Sequence, residues 1–374
     1  MIVYISLLVW ILLCAIVKNY KLQYGKKIVL KGRTFYLWLA FLAISTVMAI
    51  RSPTVGTDTL TSVNSFVYIA SSYGINDVIN SNDIFNSIFN LFLYGLGMIS
   101  LNSQVYIFTI SLIISIGIAI FIYRASPNVV VSTFLFLTLN LFFIALNTGR
   151  QWISIVLALN AFLYLQKNIW SKWGWVLFLV ACSIHNVTFS FLPGIVGIYL
   201  VKHCHQYKKI VLISIGGTLL CATIFFTISQ FFINYFPHYA IYVNETNADN
   251  IIENTGGGKI VIEYMMFLSI FVMYSVAVVF HRIQYDGTLA YTIIPSAIFC
   301  SIMGFFFFQN TVVNRMLIPY QCLFMILIPY TFNAFGMRTR MFLYSIMGIG
   351  LSFSYYLWMS NNLGDVLPYH VFFE

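Results

Sequence analysis

The chain has 374 residues, of which 60% are hydrophobic, 18% are aromatic and only 8% are charged. This composition leaves too little polar surface to cover a soluble domain, so it excludes a soluble enzyme or binding module. We therefore expect an all-α, polytopic integral membrane protein in which residues 1–374 form a single transmembrane domain.

Apolar stretches of about 20 residues are long enough to cross the hydrocarbon core of a bilayer. The 173–201 stretch has only 29 residues for two crossings, so we expect short helices there that bend at Ser183–Asn186. About twelve crossings are predicted, at residues 2–17, 34–50, 104–123, 129–146, 150–167, 173–186, 187–201, 210–233, 261–281, 288–308, 316–334 and 341–359.

The first crossing is apolar and is followed by the basic stretch 18–33. This order is the reverse of a cleaved signal peptide and predicts a retained helix that ends in the cytoplasm. The apolar segment 84–101 contains polar and small residues, and the parity of the crossings argues against a further span there. We predict an interfacial helix within a first outer loop, residues 51–103. A second long outer loop is expected at 234–260.

This topology places fifteen of the 19 Lys and Arg inside and nine of the ten Asp and Glu outside, in agreement with the positive-inside rule. The outside cations are Lys259, in a glycine-rich stretch and interpreted as solvated, and three arginines at outer helix ends: Arg51, Arg150 and Arg315. An arginine at membrane depth costs about 2.5 kcal/mol or more unless it faces a partner or a cavity. The three either share an outward polar cavity or extend separately toward outer headgroups and loop acids.

The first outer loop begins with Arg51 and reaches Asp58 through Pro53 and Gly56, which favour a turn. A carboxylate held there could act as a general base toward a sugar hydroxyl. The alternative is a helix cap or an ion pair with Arg51.

Two further polar positions lie beside apolar helices. Arg150 and Gln151 stand in LNTGRQWISI, with no acidic residue nearby in sequence. His185 stands in ACSIHNVTFSF, where it is either a helix-to-helix hydrogen-bonding residue or a functional group that titrates near neutral pH.

The stretch QNTVVNRMLIPYQ carries Asn314, Arg315 and Tyr320. Arginine is suited to bidentate binding of phosphate at an interface, so Arg315 is a candidate ligand for a lipid-linked pyrophosphate. The acidic and aromatic 234–260 segment is interpreted either as a lid over a sugar chain or as a solvated loop.

Motifs for metal or nucleotide chemistry are absent from the sequence. The six cysteines are scattered without a CxxC pair, and His203-Cys204-His205 is interpreted as a soluble rim beside lysines. There is no phosphate-binding loop, HExxH or GxSxG motif. No metal and no cofactor are expected, and the lack of acidic residues at helix centres argues against an ion-coupled pump.

The order of these motifs resembles the EpsG family of Wzy-type polysaccharide polymerases over roughly residues 34–334. The matching parts are Arg51 with Gly56-Thr57-Asp58, Asp83 before an apolar segment, Asn147 with Arg150 and Gln151, Ala181 to His185, and Asn314-Arg315 with Tyr320. A tyrosine that often follows the aspartate closely in the family pattern is replaced by Thr59-Leu60-Thr61-Ser62, so we expect the sugar contacts of that loop to differ.

The resemblance implies that undecaprenyl-diphosphate-linked oligosaccharide units are joined at the outer face of a bacterial cytoplasmic membrane. It implies a metal-independent glycosyltransferase whose layout is similar to that of lipid-dependent, GT-C-like glycosyltransferases. The lipid-linked donor and acceptor and the bilayer are the expected partners, a chain-length regulator protein is a further candidate, and nucleic acid is not expected.

The roles expected on this basis divide the residues into two groups. Arg150 and Arg315 would stabilise the leaving diphosphate, and Asp58 or His185 would accept the proton of the attacking hydroxyl, a choice that the sequence leaves open. Substrate-binding roles are expected for Arg51, Asn147, Gln151, Asn314 and Tyr320. The alternatives are a polysaccharide ligase, a flippase or other transporter of lipid-linked oligosaccharides, and a membrane acyltransferase that uses His185.

Overall fold

Helices account for most of the described chain and follow the predicted apolar stretches. The structure, a computed structural model, describes residues 1–19, 21–24, 27–71, 84–204, 206–235, 257–280, 289–307 and 310–373. Asp83, His205 and most of the predicted outer loop 234–260 lie outside the described residues. The helices are α1 (Ile2–Cys14), α2 (Gly32–Ala49), α3 (Thr59–Ala70), α4 (Ile84–Gly97), α5 (Ser103–Ala125), α6 (Val129–Thr138), α7 (Leu141–Asn147), α8 (Gly149–Lys167), α9 (Lys172–Ile184), α10 (Leu192–His203), α11 (Tyr207–Tyr235), α12 (Gly257–Val279), α13 (Leu289–Phe307), α14 (Thr311–Asn333) and α15 (Met337–Ser360).

Six helices of the described chain are long and apolar enough to cross a bilayer, or seven if the bent pair α6–α7 forms one span. These helices confirm a helical membrane protein. The other predicted crossings coincide with helices that are shorter or less apolar, such as Lys172–Ile184 and Glu263–Val279. The total of twelve crossings therefore stays a prediction.

The first basic stretch, residues 18–33, contains regular secondary structure. Lys21–Tyr24 (β1) and Lys27–Lys31 (β2) form a two-stranded antiparallel sheet, with Lys21 paired to Lys31. The expected helical class stands, and this short hairpin is an addition that the sequence did not predict. Its strands were missed because lysines interrupt the alternation by which a strand is recognised.

The predicted crossing at 129–146 is broken in two. Asn140 adopts the left-handed conformation, with φ 61°, and the axes of α6 and α7 differ by 57°. Asparagine tolerates this conformation better than other residues with side chains. The break turns the chain so that α7 ends at Asn147, beside the start of α8.

The bend predicted at Ser183–Asn186 is confirmed. Helix α9 ends at Ile184, His185 has an extended conformation, and a 3₁₀ helix follows at Asn186–Phe191. This turn places a histidine at a helix end instead of in the middle of a span.

The chain forms two compact units. The first unit comprises residues 1–164, 170–188 and 350–374. Within it α8 approaches α5 closely, because a Cβ atom at Gly117 would lie 2.8 Å from the Val156 side chain. The Asn160 amide donates to the Gly117 carbonyl at 3.2 Å and fixes this contact.

Basic side chains tie together one end of the first unit. The Arg33 guanidinium, at the start of α2, donates to the carbonyls of Tyr123 and Ser126 at the end of α5. Lys18 donates to the Asn128 side chain at 3.0 Å. The opposite ends of α2 and α5 carry the polar residues considered below.

The second unit comprises residues 165–169 and 189–349. Its core is α13, which contacts α10, α11, α12 and α14. Gly197 allows α10 to approach Pro295, and Gly304 allows the Tyr264 ring of α12 to approach α13. Small residues let helices approach in this way where a bilayer supplies no hydrophobic driving force between them.

Candidate functional site

Arg51 lies inside the first unit, with only 4% of its surface exposed. Its Nη1 donates to the Met48 carbonyl at 2.6 Å and its Nη2 donates to the Leu146 carbonyl at 2.8 Å. Burial lowers the pKa of the guanidinium to about 10, so it stays protonated at neutral pH. Arg51 therefore joins the end of α2 to the end of α7 through main-chain carbonyls.

The turn predicted from Pro53 and Gly56 is present and leads into α3. Gly56 has φ 101°, a conformation that residues with a side chain rarely adopt. The Thr59 hydroxyl lies 2.9 Å from the Val55 carbonyl and 3.3 Å from that of Leu146, so the turn is held against α7. Asp58 occupies the N-cap position of α3 and is half-buried.

Asn147 is the last residue of α7 and is only 8% exposed. Its side-chain amide lies between two glycines: a Cβ atom at Gly56 would be 2.3 Å from Oδ1, and one at Gly364 would be 2.4 Å from Nδ2. Oδ1 is buried and has no hydrogen-bond partner in the described part of the chain. Asn147 is thus an interior residue, and its substrate-binding role stays a prediction.

Arg150 is half-buried and lies where three helices meet. Its Nε donates to the Ile184 carbonyl at the end of α9, at 2.8 Å. Its guanidinium carbon lies 4.9 Å from the centroid of the Phe89 ring, on α4. The carbonyl and the ring fix the plane of the guanidinium, while Gln151 beside it is buried, with 3% exposure.

His185 follows Ile184 directly, so the Arg150 hydrogen bond brings two predicted site residues together. The imidazole is half-buried, and its Nδ1 accepts a hydrogen bond from the Val187 amide at 3.3 Å. In the neutral ring, this assigns the proton to Nε2. The Thr188 hydroxyl donates to the Ser154 hydroxyl at 2.7 Å and ties the segment to α8.

Two residues at the start of α5 belong to this region and were missed by sequence reasoning. The Gln104 side chain donates to the carbonyls of Ala49 and Arg51. Tyr106 is buried and stacks on the Phe66 ring of α3, with the ring centroids 5.3 Å apart. The sequence did contain a sign of these two residues, because they are polar side chains in the first turn of a long apolar helix.

The Asn314, Arg315 and Tyr320 motif lies in the second unit, on α14. The Tyr264 hydroxyl donates to Asn314 Oδ1 at 2.9 Å, and Gln321 donates to the same hydroxyl at 3.2 Å. Tyr320 is fully buried, and its hydroxyl donates to the Ser190 carbonyl at 2.6 Å. Arg315 is the exposed member of the motif, and the other two hold α14 in place.

The described residues contain no group of three or more His, Cys, Asp or Glu side chains arranged to hold a metal ion. In the first unit, the half-buried residues among the predicted site residues include the Arg150 guanidinium, the His185 imidazole and the Asp58 carboxylate. This combination is suited to binding an anion and moving a proton.

Comparison with known proteins gives one match over nearly the whole chain. The model of the family described as the EpsG family matches residues 34–371. No curated protein and no solved structure matches the chain. The likeness to GT-C-like glycosyltransferases therefore stays a prediction.

Proposed function

The chain belongs to the EpsG family, and on this premise we propose that it joins undecaprenyl-diphosphate-linked oligosaccharide units into a surface polysaccharide at the outer face of the bacterial cytoplasmic membrane. The family is a Wzy-type polymerase-like family of the bacterial inner membrane, which indicates a polysaccharide polymerase of exopolysaccharide biosynthesis. The lipid carrier, the outward orientation and independence from metal belong to our proposal.

The observation that carries the proposal is the setting of Arg150. Its guanidinium plane is fixed by the Ile184 carbonyl and the Phe89 ring, and it is only half-buried. A guanidinium held in a fixed plane is suited to bidentate binding of phosphate. Preorganised charge is most effective where negative charge develops, which here is on the leaving diphosphate.

The proposed step is a direct glycosyl transfer. The hydroxyl oxygen of the acceptor sugar attacks the anomeric carbon of the donor and forms the new glycosidic bond. The bond from that carbon to the diphosphate oxygen breaks, its electron pair leaves with the diphosphate, and Arg150 stabilises the resulting charge. Asp58 accepts the hydroxyl proton.

The hydrogen bond at His185 favours Asp58 as the base. Nδ1 already accepts the Val187 amide, so the neutral ring offers an N–H donor at Nε2. An N–H donor is better suited to holding a phosphate or sugar oxygen than to removing a proton. We therefore assign the general base to Asp58 and a donor role to His185.

The buried residues receive positioning roles in this proposal. Arg51 holds the ends of α2 and α7, Asn147 supports the Gly56 turn, and buried Gln151 lies next to Arg150. In the second unit, Asn314 and Tyr320 orient α14, and exposed Arg315 is proposed as an anion-binding residue.

The distribution of basic side chains between the two ends of the first unit supports the outward orientation of the site. Arg33 and Lys18 make their contacts at one end of α2 and α5, whereas Arg51, Asp58 and Tyr106 lie at the other. Cytoplasmic segments carry the excess of Lys and Arg, so the first end faces the cytoplasm. We propose twelve crossings in total, with the shorter helices also spanning.

The test is polymerisation by the full chain in lipid nanodiscs supplied with undecaprenyl-diphosphate-linked repeat unit alone. A ladder of products is expected from the wild-type protein, and Arg150→Ala should lower its rate about 10²–10³-fold, the usual cost of losing one charge-stabilising donor. Arg338→Ala, at an exposed arginine of α15, is the matched control and should keep the wild-type rate.

A ligase would give no ladder without a second acceptor, and a transporter would move the lipid without extending it. An unchanged ladder from Arg150→Ala would remove Arg150 from the mechanism. In cells, loss of the protein should abolish the polymer and accumulate single lipid-linked units.

A further inference from the structure

The chain that follows α15 turns back and runs along the first outer loop. We name residues 361–373 the C-terminal strap. The amides of Ser52, Gly56 and Thr57 donate to the carbonyls of His370, Asp365 and Gly364, at 2.9, 2.9 and 3.3 Å. The Phe372 amide donates back to the Ile50 carbonyl at 3.0 Å, and Arg51 pairs with Val371 in an antiparallel bridge.

The shape of the strap is specific. Asn362, Gly364 and Asp365 have φ values of 46°, 82° and 50°. The Asn362 side chain closes this turn by bonding both the amide and the carbonyl of Leu367. Left-handed conformations at residues with side chains persist only where the surroundings fix them.

Two tyrosines anchor the strap to the transmembrane helices. The Tyr4 hydroxyl donates to the carbonyl of Val366, which is fully buried, at 3.0 Å. The Tyr369 hydroxyl donates to the Val47 carbonyl, near the end of α2, at 2.7 Å. The strap is therefore bound at its middle as well as along its length.

Gly364 brings the strap against Asn147. Both Gly364 and Gly56 approach the Asn147 amide so closely that a Cβ atom would overlap it, at 2.4 and 2.3 Å. Among the described residues, Asn147 Oδ1 has no hydrogen-bond partner. Asn147 is thus the side chain at which three segments meet: the strap, the turn before Asp58 and the end of α7 before Arg150.

We propose that the C-terminal strap is a positioning element of the polymerase site. Through Gly364 it holds the turn that carries Asp58 and the α7 end that leads to Arg150, so that base and anion-binding residue keep a fixed geometry. This inference rests on the proposed function, and it adds residues outside the polar motifs of the sequence to the site.

The first test compares two alanine substitutions at glycines fourteen positions apart. Gly364→Ala introduces a Cβ into the Asn147 amide and strains a positive φ, whereas Gly350→Ala meets no atom within 4 Å. Gly364→Ala should lower the polymerisation rate at least about ten-fold through that strain, and Gly350→Ala should leave it unchanged. Equal rates for the two variants would overturn the proposal.

Hydrogen exchange by mass spectrometry on the full chain in nanodiscs gives a readout that does not depend on the reaction. The Gly56 and Thr57 amides donate to the strap, so peptides covering 52–60 should exchange faster in Gly364→Ala but not in Gly350→Ala. Unchanged exchange in that peptide would overturn the inference even if the protein is not a polymerase. If the wild-type protein makes no ladder of products, that result would instead contradict the proposed function.

A disulfide provides a second test that leaves Gly364 intact. Ser52 and His370 are opposite each other on the bridged segments. Opposite residues of an antiparallel pair have Cα atoms about 4.5–5.5 Å apart, which is within the range for a disulfide. The double variant Ser52→Cys, His370→Cys should form a disulfide and keep wild-type polymer length. No disulfide would disprove the docking, and a disulfide that abolishes polymer would show that the strap must detach.

Discussion

At the scale of the residue, three arginines with similar sequence surroundings have different environments. Arg51 is buried against two carbonyls, Arg150 is half-buried against a carbonyl and a ring, and Arg315 is exposed. Hydropathy treats all three as misplaced charges at outer helix ends. Their partners come from distant parts of the chain, and our proposal uses those partners to separate a positioning arginine from candidates for ligand binding.

The roles of Asp58 and His185 can be separated by substitution. Asp58→Asn removes the proposed base and should lower the polymerisation rate about 10²–10⁴-fold, the usual contribution of general base catalysis. His185→Gln keeps an N–H donor on a side chain of similar reach, so it should retain more activity than His185→Ala. The measurement is the initial rate of chain extension on purified lipid-linked repeat.

The two His185 variants provide the internal comparison. If His185 is the base, the His185→Gln and His185→Ala variants must be equally inactive, and Asp58→Asn must keep most of the polymerisation rate. Either of these results would reverse our assignment.

At the scale of the element, small residues decide how closely helices pack. A Cβ atom at Gly304 would lie 2.0 Å from the Tyr264 ring, whose hydroxyl binds Asn314 and Gln321. Gly304→Ala should therefore displace Tyr264 and destabilise the protein by about 1–3 kcal/mol, the usual cost of overpacking. Thermal unfolding of the purified protein in detergent measures this loss.

Gly217→Ala is the matched control, because a Cβ at this position of α11 meets no atom within 4 Å. It should keep or raise stability, since alanine favours helix over glycine by up to about 1 kcal/mol. If the two variants melt at the same temperature, the close contact between α12 and α13 does not contribute to stability.

Breaks between elements were predictable to different degrees. The end of α9 at His185 follows from a stretch too short for two regular crossings. The break at Asn140 was missed, because an asparagine in a strongly apolar run does not by itself end a helix. The left-handed φ there depends on packing at both sides of the turn.

At the scale of the whole molecule, the orientation in the membrane can be tested with one helix. Lys172 begins α9 and Asn186 follows its end, and both residues are exposed. In a cysteine-free background, Asn186→Cys should react with a membrane-impermeant maleimide in intact cells. Lys172→Cys should react only after the membrane is permeabilised, because basic segments remain in the cytoplasm.

Labelling in the opposite order would place the candidate site in the cytoplasm and contradict the outward polymerase. Labelling of both positions from outside would show that α9 does not cross the bilayer. The twelve-crossing topology would then have to be revised.

The sequence by itself determined the membrane class and the positions of most helices. Hydropathy and the positive-inside bias are local properties, and a bilayer requires long apolar helices whatever their neighbours. The order of short polar motifs also indicated the EpsG family, which the match over residues 34–371 confirms.

Only the tertiary structure decided where the polar residues lie and what they contact. It buried Arg51, Asn147 and Tyr320, and it brought Arg150 to the carbonyl before His185. It also added Tyr106 and the C-terminal strap to the region around Asp58. The physical reason is that a polar side chain in a membrane is stabilised by specific partners, and those partners are adjacent in space but far apart in the chain.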